Sequence, residues 1–244
     1  LFTSVIYFSI AAAFYQINFL LRKRVIIVCG RFTLINWQEL AARFGVAVLD
    51  IQPRYNIAPT QEIAVILQGS REVRMFQWGL IPFWVSAPAA GRRMINARAE
   101  TIQEKKTFRH CLQQQRCLIP ADGFYEWRQE GKKKQPYYFS LSDGRLFAFA
   151  GLWDKWQAAD GSELYSCTVI TTQANQLVAE IHDRMPVILR PEAETVWLDA
   201  QVRQPDVLQQ VLQPYPAADM NMRKVSTLVN RPANEGPELL NSPC

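Results

Sequence analysis

A chain of 244 residues that is 49% hydrophobic and 20% charged has the profile of one ordinary globular domain, long enough to bury a sizeable core. Its formal net charge of +5 is not a nucleic-acid signal as it stands: residues 1–28 hold Arg22, Lys23 and Arg24 and no acid, which leaves +2 for residues 29–244, so any site for a polyanion must be a local cluster. Five cysteines without paired short spacings, beside only His110 and His182, give no zinc pattern and fit reduced thiols in a cytosolic protein.

Leu1 to Leu21 contains no charged residue and runs into Arg22-Lys23-Arg24. On its own this segment reads as a membrane-spanning helix or signal anchor with its basic flank inside. It is not a cleavable signal peptide, because the charges follow the apolar run. A second reading treats residues 1–28 as a leader translated from a mis-assigned start, since the chain opens on Leu and Val28 fits an alternative start codon read literally.

Asn36–Gly45 then reads as a short helix with Trp37, Leu40, Ala41 and Phe44 on one face and Gly45 as its stop. A loop over Arg54–Thr60 leads to strands over Glu62–Gln68 and Glu72–Trp78. Asn96–Gln103 and Thr107–Gln115 look helical, with Asn96 as a natural N-cap. Strands follow at Cys117–Ile119, Gly123–Arg128 and Tyr137–Leu141, and Asp143-Gly144 carries the signature of a type I′ hairpin joining the last of these to Leu146–Leu152. Lys132-Lys133-Lys134 reads as an exposed hairpin loop. Leu164–Thr172 is a β run, Ala174–Ile181 a short helix, and Pro191–Ala200 a helix opened by proline. There is no internal repeat, low-complexity tract or interdomain linker. The pattern predicts a single α+β domain on a mostly antiparallel, barrel-like β-sheet with peripheral short helices. Cys111, Cys117 and Cys167 read as small buried hydrophobes, Cys244 as tail, and Trp153 and Trp197 as core.

Six separated runs carry a resemblance. They are Cys29-Gly30-Arg31-Phe32, Arg54-Tyr55-Asn56-Ile57-Ala58-Pro59-Thr60, Trp78-Gly79-Leu80-Ile81-Pro82, Asn96-Ala97-Arg98-Ala99-Glu100-Thr101, the run Arg116 to Trp127, and Ile181-His182-Asp183-Arg184-Met185-Pro186. In this order and spacing they resemble the SRAP (SOS-response-associated peptidase) family, whose members bind abasic-site DNA. The likeness spans Cys29 to about Pro237, so we take 29–240 as the domain and 1–28 as leader or mis-assigned start. The family works with Cys directly after the initiator Met, and the extension here departs from that.

The resemblance implies a covalent thiazolidine crosslink to abasic sites in single-stranded DNA through an N-terminal Cys29. The chemistry supports the idea. A 1,2-aminothiol condenses with the aldehyde of an opened abasic sugar, whereas the amide nitrogen of an internal cysteine has no usable lone pair. A free α-amine titrates at about 7.7–8.0 and a thiol at about 8.5, a value that nearby cations would lower. Alternation in Gly123–Arg128 sets Glu126 opposite Tyr125 and Trp127 and reads as a solvent-facing carboxylate, while the resemblance implies a general acid/base. It implies that His182 protonates the sugar ring oxygen and that Asn96 orients the sugar or the amine. A lone His is otherwise more often structural. Arg31, Arg98 and Arg184 would hold phosphates or else form ordinary ion pairs. Pro59, Phe83, Trp84 and Trp127 would stack on or wedge between bases, or pack as core.

Two other classes remain open. One is a cysteine-type (auto)peptidase with Cys29 as nucleophile and His182 as base; in enzyme terms the choice lies among peptidase, hydrolase and lyase. The other is a membrane-anchored protein tethered by residues 1–24. No cofactor or metal is expected. The expected partner is single-stranded DNA containing abasic sites, bound by a monomer in the cytoplasm at the nucleoid, with replication-fork proteins as further partners.

Overall fold

The computed structural model describes residues 29–48, 51–67, 69–70, 72–86 and 93–243. The leader, its anchor reading and Cys244 lie outside these residues. Among the described residues no helix is long and apolar enough to cross a membrane.

Among them thirteen strands carry the fold: β1 (Phe32–Leu34), β2 (Arg54–Ile57), β3 (Glu62–Leu67), β4 (Val73–Trp78), β5 (Asn96–Arg98), β6 (Arg116–Ala121), β7 (Gly123–Glu130), β8 (Lys133–Leu141), β9 (Phe147–Gln157), β10 (Glu163–Gln173), β11 (Arg184–Pro186), β12 (Ile188–Leu189) and β13 (Met220–Lys224). Short helices are α1 (Leu40–Phe44), α2 (Lys106–Gln114), α3 (Gln176–Ala179), α4 (Pro191–Leu198) and α5 (Pro205–Gln210).

β10, β4, β3, β6 and β9 pair in that order, and β9 pairs back onto β10 to close a five-stranded barrel. The β4–β10 seam is parallel and the other four are antiparallel. Beyond the seam the C-terminal half of β10 is flanked by β5 in parallel and by β11 in antiparallel register. A second sheet, ordered β13-β8-β7-β1-β2, lies against the barrel. The α+β, barrel-like reading holds.

The second sheet is buried on both faces. On the inner face Phe32 meets the Trp78 ring at 5.2 Å and Phe149 at 5.7 Å, while Phe124 stacks on Phe139 at 5.0 Å. On the outer face Tyr125 and Tyr138 form a small core with Val225, Val229 and Leu239 from the C-terminal segment. Period-2 alternation in such a strand separates one interior from another, not interior from water. That is why Glu126, which shares the inner face with Phe124, is 2% exposed and not the solvent-facing carboxylate its pattern suggested.

Other expectations need correction. Asn96–Gln103 is not a helix: Asn96–Arg98 is strand β5, paired with Val169–Thr171, and only Ala99–Thr101 turns as a 3-10 helix with Arg98, not Asn96, before it. Strand pairing satisfied the Asn96–Arg98 backbone before local helix preference could. The Asp143-Gly144 turn exists, with Gly144 N–H donating to Leu141, but it joins β8 to β9 in different sheets and makes no hairpin. Arg54–Ile57 is a strand rather than a loop, and the helix expected over Ala174–Ile181 shrinks to Gln176–Ala179, capped by the Asn175 side chain on Val178 N–H at 2.9 Å. Lys133 and Lys134 already belong to β8, so the exposed turn is Gly131-Lys132. At the first helix Gly45 does act as the stop, at φ 65°, behind a 3-10 turn over Trp37–Glu39.

β1 is pinned to β7 by a buried polar cluster. Asp122 accepts the Ile35 and Asn36 N–H groups at 2.5 and 2.9 Å and the Thr33 hydroxyl, which also lies 2.9 Å from the Tyr138 hydroxyl. Tyr138 reaches this cluster by crossing Gly123, where a Cβ would sit 2.1 Å from its ring. Gly123→Ala therefore forces Tyr138 out of the cluster and is expected to cost about 1–3 kcal/mol, the usual scale for overpacking. Urea titration checks this; an unchanged midpoint would contradict the close approach.

Candidate functional site

Antiparallel pairing of β1 with β7 runs the chain back from Phe32, opposite Phe124, through Arg31, whose carbonyl accepts Tyr125 N–H at 3.0 Å. Two residues further back, Cys29 arrives at Glu126. The Cys29 nitrogen donates to Glu126 Oε1 at 2.6 Å, and both residues are buried. Cys29 holds φ 45°, a left-handed conformation that costs a β-carbon residue on the order of 1 kcal/mol. This dihedral is defined by the carbonyl that precedes the nitrogen, so a free amine would not carry the strain.

Burial pushes Glu126 up to about 8; the Cys29 N–H bond opposes that shift and the nearby charge of Asp183 adds to it. Burial, then the facing Glu126, also push the Cys29 thiol well above its ordinary range.

The corner between β10 and β11 supplies the next groups. Arg128 on β7 donates to Glu180 O at 3.0 Å and ties this corner to the sheet that bears Glu126. His182 Nδ1 accepts from the Arg184 N–H at 3.1 Å and lies 3.0 Å from Asp183 Oδ1. Asn96, on β5, is opposite Val169 of β10. The corner and β5 thus flank the same stretch of β10.

Arg31 is half-buried, donates to Asn56 Oδ1 at 2.7 Å and Val229 O at 2.8 Å, and lies 5.8 Å from the Trp127 ring centroid. Trp127 is itself held by Asn230 Oδ1 at 2.7 Å. Together they make a cation–aromatic wall on the outer side of β7. Arg98 is exposed and lies near Glu100. Arg184 is different: it is 8% exposed and both of its terminal nitrogens are engaged with Glu100. Pro59 is half-buried in the turn after β2.

Phe83 and Trp84 are 58% and 59% exposed, on the loop after β4. This loop is braced, with Ile81 N–H on Ser166 Oγ, Phe83 N–H on Asp154 Oδ2 and the Trp156 indole on Val85 O. The two rings border a pocket of about 450 Å³ whose other walls include His110, Lys106 and Asp154. Rigidly presented exposed aromatics are the usual form of a contact surface.

Cys111, Cys117 and Cys167 are buried free thiols. Among the described residues no group of three or more His, Cys, Asp and Glu side chains could hold a metal ion. Sequence reasoning missed Asn56, whose amide donates to the carbonyls of Val229, Arg231 and Asn234, and also Asp183 and Glu100. All three lie inside the runs quoted for the resemblance, so motif membership was the signal that could have found them.

The family model described as SOS response associated peptidase (SRAP) matches residues 28–232. Among curated relatives, the abasic site processing protein YoqW of Bacillus subtilis (strain 168) is 47% identical over 223 residues, covering 88% of this chain and 100% of that protein. The abasic site processing protein HMCES of Xenopus tropicalis is 34% identical over 223 residues, covering 78% and 66%. A crystal structure of a Bacteroides thetaiotaomicron protein superposes with a TM-score of 0.80 at 31% identity, covering 88% of this chain and 99% of the other.

The raised carboxyl predicts a pH signature for the chain in which Cys29 remains acylated. Glu126 moves from 4.5 to about 8 on folding, so the unfolded state releases its proton first. Its contribution to stability is full below about pH 4.5 and is lost as the pH rises to about 8. Urea unfolding at pH 5 and 8 should show Glu126→Gln relieving about 2–4 kcal/mol of that loss, at about 1.36 kcal/mol per unit. Equal pH slopes for the two proteins would contradict the burial argument.

Proposed function

The chain belongs to the SOS response associated peptidase family, and from that premise we propose that it processes abasic sites in DNA, capturing the lesion in single strands as a thiazolidine on Cys29. One observation carries the reading: the Cys29 nitrogen is held 2.6 Å from a buried carboxyl group whose affinity for protons is raised.

As a free amine, that nitrogen is an ammonium beside a proton acceptor. Glu126 takes the proton, and the exposed lone pair attacks C1′ of the open-chain sugar. One N–H proton moves to the new alkoxide, Glu126 returns its proton to the departing hydroxyl, water leaves, and a protonated imine remains. Sγ then adds to C1′ as its proton passes to Glu126, closing the five-membered ring, with one water lost overall. Because burial keeps the thiol protonated, nitrogen adds first and sulfur second. His182 is a candidate to protonate the ring oxygen when the sugar opens, and Asn96 to orient the sugar. Arg31 and Arg98 are candidates for phosphates; Pro59, Phe83, Trp84 and Trp127 are candidates for the flanking bases.

The peptidase alternative with Cys29 and His182 needs a thiolate. The raised thiol weighs against it.

A chain beginning at Cys29 should form an adduct with single-stranded DNA bearing one abasic site that survives heat, SDS and high salt. Cys29→Ala and acetylation of the Cys29 amine should each abolish it, and Glu126→Gln should slow it about 10²-fold, the scale of general acid–base catalysis. Gel electrophoresis and intact mass read the outcome. A stable adduct from the acetylated protein would sink the thiazolidine.

A further inference from the structure

We propose that the hairpin of β7 and β8, beyond the candidate site, is a track for the DNA backbone: Lys132, Lys133 and Lys134 hold phosphates of the single strand several nucleotides from the lesion, on one side of it only. This rests on the abasic-site function above and extends it from the lesion to its flank.

Charge is the first observation. Arg128, Lys132, Lys133 and Lys134 on the hairpin and Arg223 and Lys224 on the neighbouring β13 stand against one acid, Glu130. Their net +5 exceeds the +2 of residues 29–244 together, so the remainder of the domain is net acidic. A polyanion approaching the domain is drawn to this edge. Lys132, Lys133 and Lys134 are exposed, and among the described residues none of them is in an ion pair. Glu130 faces Lys224 instead, at 3.6 Å.

The second observation is where the hairpin starts and how it is held. β1 pairs with β7 at Gly123 and Phe124, so among the described residues no strand lies beside that edge of β7 from Trp127 onward. β7 and β8 continue together as a ribbon to the pair of Glu130 with Lys133. The root of the ribbon is fixed. Arg128 donates to the Tyr137 hydroxyl at 3.1 Å and to Glu180 O at 3.0 Å, and Gln135 Nε2 donates to Val225 O at 3.0 Å. Asn230 ties the lysines to the aromatic wall: its Oδ1 accepts the Trp127 indole at 2.7 Å and its Nδ2 donates to Lys134 O at 3.3 Å.

The cations are therefore carried at a set distance from Trp127, a ring suited to stack on a flanking base, and from Glu126. Five residues separate Glu126 from the turn, about 17 Å at the rise of a strand. At the roughly 3.4 Å rise of a stacked nucleic-acid strand that span is about five nucleotides, and fewer of an extended one. The ribbon leaves the site in one direction, so one flank of the lesion can follow it and the other cannot. An aromatic platform at the root with lysines beyond it is the form that suits a single strand of any sequence. Lysines beside a free strand edge can instead serve to stop that edge from pairing with another molecule. The two roles differ in what neutral side chains would change.

The test uses the chain beginning at Cys29 and two triple variants at Lys132, Lys133 and Lys134, all three to Gln or all three to Arg. Binding is measured across a range of salt to single strands carrying a tetrahydrofuran abasic analogue, which lacks the aldehyde. The strands have two nucleotides on both sides of the analogue, ten on the 5′ side only, or ten on the 3′ side only. We expect the Gln variant to lower the salt slope by about 2 on one of the two long strands, at about 0.7 per phosphate, and to leave the other two strands unchanged. The Arg variant should keep the wild-type slope. Equal slopes for wild type and Gln variant on all three strands would overturn the track, and so would a loss shared equally by all three. A Gln variant that aggregates while its soluble fraction keeps the wild-type slopes would assign the lysines to edge protection. If no soluble fraction remains, Lys132→Gln decides, since it lies in the turn and should lower the slope by about 0.7 on the same long strand alone. Crosslinking to a short strand with a true abasic site is read separately and should proceed at the same rate in every variant. A wild-type protein that binds the analogue strands but forms no stable adduct would count against the thiazolidine and leave the track standing.

Discussion

A carboxyl group shut away from solvent has to be met by a donor, and the donor that meets Glu126 is the nitrogen of Cys29. Much of the fold serves to bring these two groups together. The barrel supplies a rigid inner wall for the second sheet through Trp78 and Phe149, and the C-terminal segment covers the outer face. β7 is buried on both sides as a result, and its inward residues beyond Phe124 have no water to turn to. β1, only three residues long, is clamped by Asp122 and Thr33 so that Cys29, three residues before it, ends at the Glu126 carboxyl group.

This arrangement explains what the amino-acid pattern disclosed and what it hid. Long strands with apolar runs, such as those over Leu164–Thr172 and Glu72–Trp78, were legible because burial in a barrel selects the same residues whatever their partners. Glu126 was misread because alternation reports sides of a sheet and not what lies on them. Asn96 was misread because β5 depends on pairing with β10, a partner about seventy residues away, and local helix preference says nothing of that. The Asp143-Gly144 turn shows the same limit: turn chemistry fixes a reversal of the chain, while sheet membership decides whether a hairpin results. Within the candidate site, Cys29, Glu126 and His182 could be named from their motifs. Asn56, Asp183 and Glu100 lie in the same motifs, but the contacts that give Asn56 and Glu100 their roles bridge segments that are distant in sequence.

The two buried titratable groups also set each other's behaviour. A high proton affinity at Glu126 and a suppressed thiolate at Cys29 both follow from loss of solvent, and each charge makes the other more costly. The pair is quiet while the nitrogen is an amide. With a free ammonium between them the same burial favours proton exchange, so a single change at the nitrogen converts a structural contact into a reactive one.

The contacts of Arg31 have a consequence for how the protein comes into being. Its guanidinium is fastened to the Val229 carbonyl, 198 residues further along, and Cys29 waits 97 residues for Glu126. On the ribosome the cysteine end is made first and its surroundings last. At about 5–20 residues per second, roughly 10–40 s separate the two. During that interval the thiol is open to solvent and to whatever aldehydes the cell contains. The mature pocket is then a shelter for Cys29 as much as a place for it to react, and the chain gains that shelter only when its far end has folded over the sheet.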